Sequence, residues 1–203
     1  VTSIAAAADA PTVLLGEDAS ESALVQMAET GEIGQFGTIH IATHALVDDK
    51  RPERSALVLS QVGLPDPLES AMKKERIIDG LVTAREIVRE WNLSADVVTL
   101  SACETGLGRK AGSEGYIGFA HAFFQAGARS LVVSLWKVDD RATSLLMQKF
   151  YEDYFDSEMK TKAGALKSAK EWVMDYKDEN GTRPFEHPFY WSGFILIGAV
   201  GWQ

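Results

Sequence analysis

VVTLSACETG, Val97 to Gly106, is the stretch on which the fold turns. Its first residues are apolar on consecutive positions, as in a strand covered on both faces, and the run then opens into glycine-rich sequence. Such a strand belongs to an open, largely parallel sheet, whose carboxyl ends present reactive groups to a crevice. Cys103, the single cysteine of the chain, stands at that end. A second run, TIHIATHA from Thr38 to Ala45, has the same character and reaches His44 at its own end. If the two strands are neighbours, a thiol and an imidazole lie side by side.

Outward from these runs, short β-branched segments alternate with longer amphipathic ones, the pattern of βα units. Strands are expected over Thr12 to Leu15, Thr38 to Thr43, Ala56 to Leu59, Val97 to Ala102, Ser130 to Trp136 and Phe194 to Gly198. Helices are expected over Ser20 to Glu29, Thr83 to Trp91 and Gly115 to Ala126. In the second of these, Thr83 and Glu86 are spaced as a capping box. Two further helices show apolar stripes at spacings of three and four: Thr143, Leu146, Met147, Phe150, Tyr151 and Tyr154 in one, and Ala165, Ala169, Trp172, Val173 and Tyr176 in the other. Gln61 to Gly80, with Pro65 and Pro67, and the glycine-rich Gly106 to Gly115 read as irregular; both are candidates for active-site loops and equally for plain surface loops.

The 203 residues, 46% hydrophobic and 24% charged, suit one globular domain. A net charge of -9 argues against nucleic acid and membrane surfaces as partners, because both are recognised through clustered Lys and Arg. One cysteine forms no internal disulfide, so a reducing cytoplasm is the expected compartment. The longest apolar stretch, FILIGAVGW, is far short of the ~20 residues that span a bilayer, and the N-terminal VTSIAAAADA lacks the basic head of a signal peptide.

A lone cysteine is more often a small buried hydrophobe than a nucleophile. Here the chain is expected to leave the sheet just after Cys103, which would expose the sulfur at the strand end. A thiol with an ordinary pKa of ~8.5 needs a base, and His44 would take its proton and later protonate a leaving amine. His40 shares a face with His44 but should lie roughly 13 Å further back along the strand, at ~3.3 Å per residue. His121 falls inside a helix beside Phe119, Phe123 and Phe124, and His187 precedes Pro188 in a loop. Metal binding is not expected, since four-residue spacing converges two histidines on one ion only on a helix. The backbone N–H groups of Cys103 and Ala45 are candidate oxyanion donors. GLGRKAG, Gly106 to Gly112, reads alternatively as a phosphate-binding loop, although its third glycine comes one residue late.

The blocks IHIATHA, SALVLS, LSACETGLG, GSEGYIGFAHAFFQAGARSLVVSLWKVDD and HPFYWSGFILIG together resemble the CHAT domain, a caspase-like module often found behind tetratricopeptide repeats in bacterial proteins. The resemblance covers nearly all of residues 1–203. It implies an α/β fold, a mostly parallel sheet flanked by helices on both faces, and cysteine endopeptidase activity through a His-Cys dyad without metal or organic cofactor. By motif match the dyad is His44 and Cys103. Related proteases carry Gly after the histidine, where this chain has Ala45. Caspase-like sheets also have two strands before the histidine strand, whereas only Thr12 to Leu15 precedes it here. The chain is therefore expected to lack an N-terminal strand and to be the C-terminal catalytic portion of the module, with the missing segment or a regulatory repeat domain as a partner. In the similar separases an acidic residue in a motif like WKVDD meets a basic P1 side chain. Asp139 and Asp140 are its counterparts, with helix capping as the plain alternative. Arg109 and Lys110 then become conceivable self-cleavage sites. The competing reading is a caspase-like interaction or scaffold module without catalysis.

Overall fold

A computed structural model describes residues 2–101, 103–104, 113–156 and 161–199, with 103–104 and 113–118 described by backbone course alone. Its strands are β1 (Thr38–Ile41), β2 (His44–Leu46), β3 (Ala56–Val58), β4 (Leu81–Thr83), β5 (Val97–Leu100), β6 (Cys103–Glu104), β7 (Ser130–Ser134) and β8 (Phe194–Gly198). Its helices are α1 (Thr2–Ala5), α2 (Glu21–Glu29), α3 (Pro67–Lys73), α4 (Ala84–Glu90), α5 (Ser113–Gln125), α6 (Asp140–Phe155) and α7 (Lys162–Asp175).

The main sheet has the order β1-β5-β7-β8. The first three strands run parallel and β8 closes the edge antiparallel to β7. Consecutive residues of these strands face opposite layers, as a strand's period of two requires. Val98, Leu131 and Val133 join a core with Ile87 of α4 and Phe123 of α5. Val97, Val132 and Phe194 join another with Leu146 and Phe150 of α6 and Ala165 and Val173 of α7. Apolar side chains on both faces explain the unbroken apolar runs in the sequence. The result is an α/β, caspase-like sheet between helical layers.

A second, small sheet has the order β4-β3-β2-β6. It arises because neither long run is one strand. The first leaves its ladder at Ala42 and Thr43, the second after Leu100, and both resume three residues on. The side-chain hydroxyl of Thr43 donates to the carbonyl of Val58, tying the start of β2 to β3.

Several expectations need correction. Thr12 to Leu15 is no strand; it finds no partner, and Val13 and Leu15 are exposed. No strand precedes β1 among the described residues, and β1 lies at the edge of the main sheet. Gln61 to Gly80 is not irregular throughout, since Asp66 caps α3 by accepting from the amide of Leu68. Arg76 then ties the segment to α4 through Glu86, at 2.8 Å, and Glu90. The buried carboxylate of Glu21 accepts from the amides of Asp79 and Gly80, at 2.8 and 2.7 Å. Trp172, read as part of a core stripe, is exposed instead.

The capping box expected at Thr83 is formed in both directions, Glu86 N–H to the Thr83 hydroxyl and Thr83 N–H to the Glu86 carboxylate. After α5 the chain turns at Gly127, whose φ of 112° and approach to the Leu93 carbonyl leave no room for a Cβ. At the end of the sheet remote from Cys103, the fully buried Lys162 pairs with Asp96 at 2.8 Å. Asp96 also accepts from the Tyr154 hydroxyl at 3.0 Å.

Candidate active site

Two interrupted strands keep their alignment across the gap. β1 and β5 pair in parallel from Thr38 with Val97 to Ile41 with Leu100. The same offset then pairs His44 with Cys103 and Ala45 with Glu104, again in parallel. Neighbouring strands are ~4.8 Å apart, so the backbones that carry the imidazole and the thiol are adjacent. Cys103 nevertheless does not terminate its strand, as the sequence suggested; it opens β6 within the small sheet. The Cys103 side chain lies outside the described residues, as do the loop bearing Arg109 and Lys110 and the GLGRKAG segment.

His44 is exposed and Ala45 is buried. The Ala45 backbone lies in the middle strand β2, between β3 and β6. Beside His44 is a cavity of about 450 Å³, within the range of small-ligand pockets. Ala42, Thr43 and Ser101, at the interruption of the ladders, form one part of it. Asp140, Thr143, Ser144 and Met147, from the first turns of α6, form the facing wall, with Ile4 of α1 beside them.

The structure separates the two acidic candidates. Asp139 is the N-cap of α6, its carboxylate accepting from the amides of Arg141 and Ala142 at 3.0 and 2.9 Å. Asp140, one residue on, faces the cavity with His44. Arg141 does not neutralise it, since that guanidinium donates to the Tyr176 hydroxyl at 3.3 Å and sits over the Tyr176 and Phe185 rings.

Sequence reasoning set His40 aside as the base; His40 lines the same cavity as His44. The His40 Nδ1 hydrogen-bonds the Tyr151 hydroxyl at 3.1 Å, and that hydroxyl donates to Thr99 at 2.8 Å. Burial pushes the imidazole down to about 4, so it is neutral at pH 7. Met147, expected in the core, is buried there and also lines the cavity, while Thr143, read in the same stripe, is only partly buried. His121 is exposed on α5, away from the cavity. His187 caps a short 3-10 turn, its Nδ1 accepting from the amide of Phe189. No group of three or more His, Cys, Asp or Glu suited to a metal ion occurs among the described residues.

Comparison with known proteins agrees with this architecture. Tetratricopeptide repeat protein 28 of Mus musculus is 29% identical over 119 residues, which are 59% of this chain and 4% of that protein. Its namesake in Homo sapiens is 32% identical over 119 residues, with the same coverage. The chain thus spans only a small fraction of these curated relatives. The CHAT domain family matches residues 1–199, nearly the whole sequence, and the chain belongs to that family.

Proposed function

We propose that the chain is a cysteine endopeptidase whose dyad is His44 and Cys103. The observation that carries this reading is the parallel register that pairs the two residues beside a cavity containing Asp140. His44 takes the thiol proton as sulfur bonds to a peptide carbonyl carbon, and the carbonyl oxygen becomes an oxyanion. The amides of Cys103 and Ala45 are assigned as its donors. As the oxyanion collapses, the C–N bond breaks and His44 protonates the departing amine. Water then hydrolyses the thioester, releasing the acid and restoring the thiol. No cofactor enters these steps. The uncompensated Asp140 favours a basic P1 side chain, while Asp139 serves α6 as its cap. Protein substrates, a reducing cytoplasmic location and control by a repeat segment or a supplied N-terminal strand complete the reading, with the chain as the catalytic portion of a larger protein.

The test is labelling by an arginyl acyloxymethyl ketone. Labelling is expected in the parent and in His121→Ala, and is expected to be lost in Cys103→Ala and His44→Ala. Labelling that survives Cys103→Ala refutes the assignment.

A second reading, a non-catalytic interaction module, draws support from α3, where Leu68 and Met72 lie one turn apart and are 76% and 85% exposed. Alkylation of Cys103 by iodoacetamide no faster than that of free cysteine, without probe labelling, would favour this reading.

A further inference from the structure

The segment from Gln61 to Gly80, which joins β3 to β4, is attached to the site in a way the dyad chemistry does not use. Leu81, Val58, His44 and Cys103 are successive register partners across β4, β3, β2 and β6. The segment therefore departs just after Val58 and returns at Leu81, on the row that carries the two dyad backbones. Ala42, Thr43 and Ser101 of the cavity lie off that same end, immediately before His44 and Cys103 in the chain.

Little holds the middle of this segment in place. Of residues 65–75 only Ser70 is buried, and among the described residues no side chain from Gln61 to Gly80 belongs to either core. α3 has seven residues, fewer than a helix needs to stand without packing, so it opens locally at small cost. It ends at Lys74, whose φ of 58° is a left-handed conformation that is strained for a residue with a Cβ. Lys73 and Lys74 are exposed, and a basic side chain is what the Asp140 cavity suits. The anchors come next: Arg76 binds Glu86 and Glu90 of α4, and Glu21 holds the amides of Asp79 and Gly80. With Arg76 released and Asp79 still held, the five residues from Lys74 to Asp79 extend ~17 Å at ~3.3 Å per residue. β4 and β6 are three strand spacings apart, about 14 Å, so the length suffices.

We propose that this segment is an internal substrate: when Arg76 lets go, Cys103 of the same chain hydrolyses the Lys74–Glu75 bond, with the Lys74 side chain in the cavity. The proposal deepens the peptidase reading of the site and rests on it. Sulfur bonds to the Lys74 carbonyl carbon as His44 takes the thiol proton. The C–N bond then breaks and His44 passes the proton to the Glu75 amine. Water hydrolyses the thioester, leaving a carboxylate on Lys74 and restoring the thiol. β3 and β4 stay paired, and α3 becomes the end of a free tail.

Cell-free synthesis of the chain with radiolabelled methionine, at several template concentrations under reducing conditions, tests this by electrophoresis and amino-terminal sequencing. A fragment beginning at Glu75 is expected from the parent and from Lys73→Gln, and none from Cys103→Ala or Lys74→Gln. Its first-order rate should not change with chain concentration. Arg76→Gln should raise that rate by about 3-fold to 10-fold, the weight of a partly buried ion-pair anchor. Glu90→Gln gives the same readout should Arg76→Gln fail to fold. Absence of the Glu75 fragment overturns the proposal, and so does a fragment that persists in Cys103→Ala or Lys74→Gln. A rate that rises with concentration, or one unchanged in the folded anchor variant, overturns it as well. Arginyl probe labelling of the same samples separates two failures. Labelling without the fragment counts against the internal substrate alone, whereas loss of both counts against the peptidase reading too.

Discussion

Lys162 and Asp96 offer a perturbation whose two halves should differ sharply. The Lys162 side chain is fully buried, whereas Asp96 remains 21% exposed. The Lys162 ammonium is satisfied by the Asp96 carboxylate at 2.8 Å and by the Asp96 carbonyl at 3.3 Å. Asp96→Asn keeps the shape but leaves a buried cation without its counter-charge, a change that costs about 3–5 kcal/mol. Lys162→Met fills the same space without a charge, and the remaining carboxylate keeps the Tyr154 hydroxyl and access to water. Its cost should be about 1 kcal/mol. The double variant should therefore be more stable than Asp96→Asn alone, by about 2 kcal/mol or more. Urea unfolding followed by the fluorescence of the five tryptophans reads these differences. With a slope of about 2–3 kcal/mol/M, a cost of about 3–5 kcal/mol shifts the Asp96→Asn midpoint down by roughly 1–2.5 M. A Lys162→Met variant that loses more than Asp96→Asn, or a double variant no better than the worse single, would refute the reasoning.

Other outcomes follow from the same structure. His40 is held down to about 4 when folded and titrates near 6.5 when unfolded, so the unfolded chain alone binds a proton between those values. Stability from this group is complete above pH 6.5 and is lost as pH falls toward 4. Between pH 7.5 and 4.5 the wild type should lose about 2–3 kcal/mol more than His40→Gln in parallel urea titrations, and equal losses would contradict it. Thr83→Ala removes the N-cap of α4 and should cost about 1 kcal/mol, measured as the midpoint shift in thermal unfolding. Gly127→Ala combines a positive φ with a clash against the Leu93 carbonyl, and should cost more than the ~1 kcal/mol of strain alone; a neutral result would place that turn wrongly.

The sequence made the large elements legible because their signals are local and redundant. α6 and α7 show stripes long enough to fix a face, Thr83 and Glu86 announce a helix start, and the central strands carry apolar residues on consecutive positions, Val97–Val98 and Leu131–Val133. The alignment of His44 with Cys103 was legible too, since parallel neighbours of equal length place their ends together. The short strands were not. β4 and β6 hold three and two residues, too few for a period, and exist through their partners. Thr12 to Leu15 shows the converse, strand-like composition with no partner. The interruption at Ala42 and Thr43 carries no glycine or proline to mark it, and for that reason the run read as one strand.

On the proposed reading, that interruption sets the dyad and the wall that receives the P1 side chain on different parts of the scaffold. His44 and Cys103 are carried by the small sheet, through β2 and β6. His40 is carried by the main sheet, and Asp140 by the helix packed on it. A displacement of the small sheet moves imidazole and thiol backbones together, preserving their pairing while changing their distance from the bound side chain. Amide exchange in β2 and β3, compared with β5 and β7 in the presence of a guanidinium, would measure how independent the two parts are. On the proposed peptidase reading the chain is thus divided like a vice and a blade on separate mounts: grip and cut can each be kept intact while their alignment is altered.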